Sequence, residues 1–302
     1  MAGRRRRSRA KAVARRRPVL SLVAFLPQAA LLGLARALPY RGRLGFAGWL
    51  MRRAVALKPD LRARVNGNLR LVLPQLDAAG RDRVREAMAA NFGRTFIEIL
   101  DNRAFHRRRA WIGPSGPGAA AIEAAARAGT GAVLVTGHFG QWEAGRAWMK
   151  ANGINCAGVY RPTENPHLNR IYLKNLEFGG TPIFAKSRRG VRGIVAHLAR
   201  GGIVAILTDQ YERRAPRLDF LGQPAPTSLV AADLALKFKV PLIPIYGIRQ
   251  SDGEHVAVVV EPPIPPSNAA EMMQKANDSL AAQVRAHPGQ YYWLHRRWVK
   301  RF

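Results

Sequence analysis

Short apolar runs alternate with helical segments through the second half of this 302-residue chain, and this alternation constrains its fold most strongly. The runs AVLVT (132–136), IVAIL (203–207) and LIPIYGI (242–248) have the length of buried strands. Alternation of this kind is typical of a mainly parallel sheet with helices packed on its faces, so we predict an α/β fold. The predicted strands are 132–136, 154–160, 181–184, 203–207 and 242–248, with an antiparallel strand at 255–261, and the predicted helices are 77–100, 142–152, 166–178, 191–200, 228–238 and 268–286.

The basic excess of the chain requires an anionic partner. Lys and Arg number 49 against 19 Asp and Glu, which gives a formal net charge of +30. Nine of these cations lie in residues 1–17, which contain no acid and are predicted to be a disordered arm. The remainder belongs to the folded body. We find no RNA-binding aromatic signature, zinc-ligand spacing or basic zipper, so a membrane or an acidic protein is expected rather than nucleic acid.

An uncharged apolar stretch, Val19–Ala35, follows the basic arm directly. Cations on one flank of such a stretch match the positive-inside pattern. The stretch is short for a full membrane span, and Pro27 and Gln28 interrupt it. A membrane anchor helix, an interfacial helix and a cleaved signal peptide all remain open. We therefore divide the chain into the arm 1–17, an anchor or interfacial helix 18–38, and a main domain 39–302.

The run GHFGQWEAG places His138 and Glu143 just beyond the predicted strand 132–136. Ligands of open α/β sheets bind at this carboxyl edge. In one ideal helix, residues five positions apart point about 140° away from each other. The two side chains can therefore meet only if a turn intervenes, and Gly140 supplies the flexibility for one.

A histidine beside a carboxylate is suited to activating a hydroxyl group. Neutral imidazole removes the hydroxyl proton near pH 7, and a carboxylate on the other ring nitrogen fixes the tautomer. His138 would be the general base and Glu143 the group that orients it. The spacing alone favours another interpretation, a histidine that caps a turn beside a glutamate that stabilises a helix amino terminus.

Five blocks in order resemble the lipid A late acyltransferases, a family that includes lauroyl and myristoyl acyltransferases and mycobacterial phosphatidylinositol-mannoside acyltransferases. GHFGQWE resembles the H-x4-D/E signature of that family. The other blocks are VYRPTENPHLNR (159–170), SRRGVRGIVAHLARGGIVAILTDQ (187–210), DFLGQPAPTSLVAADLALKFKVPLIPIYGIR (219–249) and PGQYYWLHRRW (288–298). A single H-x4-E is a weak signal, whereas five ordered blocks are a strong one.

The resemblance implies a glycerolphosphate-acyltransferase-like α/β sandwich, held at the cytoplasmic face of the bacterial inner membrane by its amino-terminal helix. The donor would be an acyl group on acyl carrier protein, and the acceptor a hydroxyl of an anionic lipid A precursor. No metal and no bound cofactor are implied. In place of the F-P-E-G-type block of the wider glycerolipid branch, this chain has Leu207-Thr208-Asp209-Gln210, which argues against a simple glycerol-phosphate acyltransferase.

Three further residues are candidates for substrate binding. Arg161 precedes Pro162, which favours an extended backbone that holds its guanidinium beyond the strand. It could bind phosphate or phosphopantetheine, or be a surface arginine. Arg189 is a similar candidate before a helix. Asp209 follows the strand 203–207 at the predicted edge of His138, where it could shape the site, hold the acceptor or occupy an ordinary turn.

Two rival functions remain open from the sequence. An acyltransferase of the same kind could use another membrane acceptor, such as a phospholipid, an aminolipid or a mannosylated lipid. A non-catalytic adaptor could use the basic arm to bind a membrane or nucleic acid.

Overall fold

A seven-stranded mixed sheet forms the centre of the part of the chain that the computed structural model describes, residues 18–298. The strands are β1 (Trp111–Ser115), β2 (Ala132–Thr136), β3 (Cys156–Tyr160), β4 (Ile183–Ala185), β5 (Ile203–Leu207), β6 (Arg217–Phe220), β7 (Gln223–Pro226), β8 (Leu242–Arg249) and β9 (Val256–Val260). The sheet order is β1-β9-β8-β2-β5-β3-β4, and β6 and β7 form a separate hairpin. Strands β2, β3, β4, β5 and β8 run parallel, whereas β9 is antiparallel to β8. The parallel strands therefore end at one shared carboxyl edge.

Eleven α-helices lie within the described residues. They are α1 (Pro18–Ala37), α2 (Tyr40–Ala56), α3 (Pro59–Val72), α4 (Ala78–Leu100), α5 (Asn102–Arg108), α6 (Gly118–Ala128), α7 (Ala144–Ala151), α8 (Pro166–Gly179), α9 (Arg188–Leu198), α10 (Val230–Phe238) and α11 (Ala269–Ala286).

The central strand β2 is buried at all five positions because helices cover both faces of the sheet. Alternate residues of a strand point to opposite faces. Leu134 packs in one core with Ile122 of α6 and Trp148 of α7. Val133 packs in another core with Leu198 of α9 and Met272 of α11. This two-sided burial explains why the strand is apolar throughout rather than alternating.

The predicted α/β class and the predicted antiparallel last strand are confirmed, and the bounds of β2 and β5 agree with the predicted ones. The sequence prediction missed β1 and the β6–β7 hairpin. Strand β1 contains Gly113 and Pro114 and is half exposed, so it has neither the apolar run nor the strict alternation of a buried strand. The predicted arm, residues 1–17, lies outside the described residues.

Helix α1 contacts the main domain near both of its ends. Leu32 and Ala35 are buried in a cluster with Leu44 of α2 and Leu100 of α4. Near the other end of the helix, the Asn165 side chain donates a hydrogen bond of 2.9 Å to the Ser21 carbonyl oxygen. The helix is long and apolar enough to cross a membrane by length and composition.

The opposite face of α1 is exposed and apolar. Large hydrophobic side chains on this face are accessible to solvent: Leu20, Leu22, Val23, Leu26, Leu31 and Leu34. Exposed patches of this kind mark interaction surfaces of proteins or membranes.

Candidate active site

His138 and Asp209 meet at the carboxyl edge of the sheet because β2 and β5 are neighbouring parallel strands. The paired register joins Thr136 to Leu207, so each of the two side chains stands two residues beyond its strand. The ladder continues beyond the strands, since the Thr208 amide donates to the Thr136 carbonyl oxygen at 2.9 Å. The sequence placed both side chains at this edge, and the strand order brings them into contact.

The Asp209 carboxylate binds His138 through two hydrogen bonds. One oxygen lies 2.8 Å from Nδ1 of the ring, and the other accepts the His138 backbone N–H at 3.0 Å. The Asp209 side chain is fully buried, whereas the His138 side chain is 17% exposed. This pairing fixes the ring and makes Nδ1 the donor in the neutral tautomer, which leaves Nε2 as a proton acceptor.

Burial would raise the pKa of Asp209, but the neighbouring His138, through its charge and its hydrogen bonds, holds that pKa below the usual range. The carboxylate therefore stays ionised at neutral pH. A buried carboxylate in this position stabilises the imidazolium that forms when the histidine accepts a proton. The arrangement can perform general base chemistry on a hydroxyl group.

Glu143 does not hold the ring of His138, contrary to the expectation from the sequence. It lies immediately before α7, and its carboxylate accepts a hydrogen bond of 2.6 Å from the Arg146 guanidinium, one helical turn away. Both side chains are buried. Arg146 also donates to the carbonyl oxygens of Gly180 at 2.8 Å and Cys156 at 3.3 Å. The buried guanidinium needs a counter-charge, and Glu143 supplies it, while Asp209 has the contact with His138.

The predicted turn at Gly140 is present. Gly140 has a φ of +54°, and a β-carbon there would collide with the Gly247 carbonyl oxygen. The Gly140 carbonyl oxygen accepts a hydrogen bond of 2.9 Å from the Thr95 hydroxyl. The turn leaves His138 in the loop and puts Glu143 at the start of the next helix.

A second histidine adjoins His138, and no role was predicted for it from the sequence. The Tyr292 amide donates to the His138 carbonyl oxygen at 2.9 Å and so holds the carboxyl-terminal segment against the site. The His295 ring lies edge-on to that of His138, with 4.6 Å between the ring centroids. Burial and the charge of His138 lower the pKa of His295 to about 4, so this ring is neutral at pH 7. No local spacing relates these two residues, so their contact is visible only in the folded chain.

His138, Asp209 and His295 also offer ligand atoms within 4.8 Å of one another, close enough to share a metal ion. In the present arrangement Asp209 directs both oxygens to His138. Hydrogen bonds therefore join His138 to Asp209, whereas the buried His295 Nε2 has no hydrogen-bond partner among the described residues.

A cavity of about 360 Å³ opens beside His138. Most of its wall is apolar. The apolar lining residues are Trp142, Val159, Leu176, Ala185, Val191, Ile194, Ile206, Leu207, Val230 and Ala231. The polar side chains on the wall include His138, Glu143, Arg161 and Lys186, and the last forms a 3.3 Å ion pair with Glu212. Such a wall suits a hydrocarbon chain that carries a polar group at one end.

The two predicted arginines differ in position. Arg161 is exposed and lines the cavity just beyond β3. Arg189 lies in the first turn of α9, exposed, and is not part of the wall of this cavity. Ser187 caps that helix by accepting the Gly190 amide at 3.1 Å, and Lys186 before the cap faces the cavity instead.

A comparison with protein-family models matches residues 12–300 to the bacterial lipid A biosynthesis acyltransferases. The chain belongs to this family. The predicted enzyme class, acyltransferase, is thereby confirmed.

Two curated relatives illustrate the range of this acyltransferase family. The chain is 24% identical to a phosphatidylinositol mannoside acyltransferase of Mycobacterium tuberculosis (strain CDC 1551 / Oshkosh), over 77% of this chain and 75% of the relative. It is 28% identical to the lipid A biosynthesis lauroyltransferase of Escherichia coli (strain K12), over 57% of each protein. The two names refer to different lipids, a phosphatidylinositol mannoside and lipid A.

Proposed function

We propose that this acyltransferase moves a fatty acyl chain from acyl carrier protein to a hydroxyl of an anionic lipid A precursor at the cytoplasmic face of the bacterial inner membrane. The observation that carries the proposal is the His138–Asp209 pair at the mouth of an apolar cavity. His138 is the general base and Asp209 orients it. Glu143 lines the cavity and is a positioning residue that acts through its ion pair with Arg146. The α/β sandwich is of the glycerolphosphate-acyltransferase-like type.

The transfer proceeds by direct attack of the acceptor on the thioester. Nε2 of His138 takes the hydroxyl proton while the hydroxyl oxygen forms a bond to the thioester carbonyl carbon. The tetrahedral intermediate then collapses, the carbon–sulfur bond breaks, and the thiolate takes the proton from the imidazolium. The products are an ester and a free thiol, and the histidine is again neutral. Asp209 stabilises the imidazolium between these steps.

The charges on the wall of the cavity support an anionic donor or acceptor. Arg161 lies at the polar part of the wall and has no hydrogen bond or ion pair with any residue between 18 and 298. A guanidinium in this position suits the phosphate of a phosphopantetheine arm or of the acceptor. The acyl chain would occupy the apolar wall near Leu176 and Ile194.

A second acceptor class, a mannosylated phospholipid, is supported by one observation. The match to the mycobacterial mannoside acyltransferase covers 77% of this chain, more than the match to the lauroyltransferase. The chemistry at His138 would be the same for both acceptors.

The purified protein in detergent should transfer label from acyl-loaded carrier protein to a lipid A precursor. Parallel reactions would use acyl coenzyme A as donor, and a phosphatidylinositol mannoside or a lysophospholipid as acceptor. An acceptor whose hydroxyl groups are already acylated is the control and should remain unlabelled. Label on the mannoside alone would establish the second acceptor class, and failure of every acceptor to take label would overturn the proposal.

The exposed face of α1 is proposed to lie in the membrane interface, because the opposite face of this helix is packed against the main domain. Replacing Leu22 and Leu26 together by Asn removes two exposed leucines, each contributing on the order of 1 kcal/mol of burial in lipid. The partition of the protein into vesicles should fall about 10- to 30-fold. Co-sedimentation with vesicles measures it. Ile112→Asn, an exposed apolar residue on β1, is the control, and equal losses in both variants would contradict the assignment to α1.

A further inference from the structure

A second cavity, of about 530 Å³, lies between α2, α4 and the end of β8. It shares no lining residue with the cavity beside His138. We call it the arginine cleft, because Arg52, Arg83, Arg94 and Arg249 line it. The neighbouring parts of the wall are contributed by Glu86, Asn91, Gln250, His287 and Gln290.

The wall of the arginine cleft has more positively than negatively charged side chains. Arg249 is neutralised by Glu98, with 2.5 Å between the guanidinium and the carboxylate. The side chains of Arg52, Arg83 and Arg94 form no hydrogen bond and no ion pair with any described residue. The single acid of the wall, Glu86, is exposed. Three guanidinium groups therefore converge on one concavity, and none of them forms an ion pair with a carboxylate of the described residues.

Arg94 is the partly buried member of this group. Burial lowers its pKa below the ordinary value for arginine, the positive charges of Arg249 and Arg52 lower it further, and the negative charge of Glu98 opposes part of this shift. A partly desolvated guanidinium with no ion-paired carboxylate of its own is stabilised when an anion binds beside it. Phosphate suits such a site because the planar guanidinium donates two parallel hydrogen bonds to its oxygens.

The surroundings of the cleft indicate a lipid headgroup as the source of the phosphate. Arg52 and Glu86 also line an adjoining cavity of about 250 Å³, whose wall includes Trp49. Trp49 is 45% exposed and stacks on Phe46, which packs against the cluster that contains Leu32 of α1. Tryptophan and arginine beside an apolar surface are typical of the membrane interface. The cleft thus continues the surface that we assign to the bilayer.

We propose that the arginine cleft binds the phosphate of an anionic membrane phospholipid, at a site separate from the cavity used for acyl transfer. The site would hold the protein on anionic membrane in a fixed orientation. Its inner wall adjoins the loop of His138, since the Asn91 side chain donates to the Gly140 carbonyl oxygen at 3.3 Å. The binding itself requires no acyl transfer, so its failure and that of the proposed function are distinguishable.

The test compares full-length wild type with Arg83→Gln/Arg94→Gln on phosphatidylcholine vesicles with and without phosphatidylglycerol. The control, Arg127→Gln/Arg200→Gln, removes the same charge from exposed positions that precede β2 and β5 at the opposite edge of the sheet. Affinity for the anionic vesicles should fall about 10- to 100-fold in the cleft variant. It should fall less than about 3-fold in the control. Equal losses in the two variants would overturn the proposal.

A charge-preserving variant separates a phosphate site from a generally basic surface. Arg83→Lys/Arg94→Lys keeps both charges but loses the planar fork, so its affinity should still fall at least about 5-fold. Affinity equal to that of wild type would mean that only net charge matters and would overturn the proposal.

Two further measurements identify the source of the phosphate and check the fold. Glycerol phosphate should raise the melting temperature of wild type but not of the cleft variant, because a ligand stabilises only the protein that binds it. Arg83→Gln alone, at an exposed position, keeps the test valid if the double variant folds poorly. If the cleft variant lost affinity for acyl carrier protein and kept its affinity for anionic vesicles, the cleft would be a protein docking surface and the proposal would be wrong.

Discussion

Replacing His138 by Ala is expected to lower kcat for acyl transfer about 100- to 10,000-fold, because the acceptor hydroxyl then loses its general base. The change removes the imidazole that lines the cavity and that Asp209 holds through Nδ1. KM should change little, since the apolar wall remains. Single-turnover transfer of labelled acyl chains, followed with saturating acceptor, measures the chemical step. Transfer at the wild-type rate would remove His138 from the mechanism.

Asp209→Asn should lower kcat by a similar factor while the size of the site stays the same. The amide carries no negative charge and cannot stabilise the imidazolium. Its N–H can also donate to Nδ1, which favours the tautomer with the proton on Nε2, and this tautomer cannot act as the base. The substitution also removes the carboxylate next to His138 and so changes how readily the imidazole binds a proton. The dependence of kcat on pH should therefore differ from that of wild type, which a purely structural role would not produce.

Glu143→Gln is the matched comparison for Asp209→Asn. Glu143 neutralises Arg146, so its substitution should lower the melting temperature through an unpaired buried guanidinium. The shape of the pH profile should remain that of wild type. A normal pH profile in Asp209→Asn together with an altered one in Glu143→Gln would restore Glu143 as the residue that orients His138.

The sequence located both members of the pair but not the pairing itself. Strands β2 and β5 are apolar runs, so their carboxyl ends were predictable, and with them the edge on which His138 and Asp209 lie. That β5 is the immediate neighbour of β2 depends on the strand order, which no local pattern specifies. A glutamate five residues from the histidine was therefore the nearer candidate on sequence alone.

The role of Glu143 had a signal in the sequence that its spacing to His138 obscured. Arg146 follows it by three positions, and residues three apart at the start of a helix are neighbours. What the sequence could not reveal is that Arg146 is buried, because its burial depends on α8 and β3 closing over it. His295 lacks even such a signal, since the segment that bears it reaches the site only through contacts with distant parts of the chain.

Replacing Glu98 by Leu is expected to lower the free energy of unfolding by about 3–5 kcal/mol, because it leaves the buried Arg249 without its counter-charge. The two side chains are almost inaccessible to solvent, at 1% and 3% exposure. The Glu98 carboxylate also accepts hydrogen bonds from the Tyr40 hydroxyl at 2.9 Å and from the Gln141 side chain at 3.0 Å. Glu98 thus connects α2 and α4 to the loop that follows His138. Urea denaturation followed by far-UV circular dichroism measures the loss.

The double variant Glu98→Leu/Arg249→Met separates the cost of an orphaned charge from the net value of the pair. Two apolar side chains of similar volume leave no buried charge, so much of the loss should be recovered. Recovery will be incomplete, since Asn91 and Thr95 then lose the guanidinium to which they bond. Glu123→Gln, in the exposed pair with Arg127, is the control and should cost less than about 1 kcal/mol. If Glu98→Leu also lowered the free energy of unfolding by less than about 1 kcal/mol, water would have to reach Glu98 and Arg249. In that case the loop of His138 would be held chiefly by its backbone hydrogen bonds to Gly247 and Gln290.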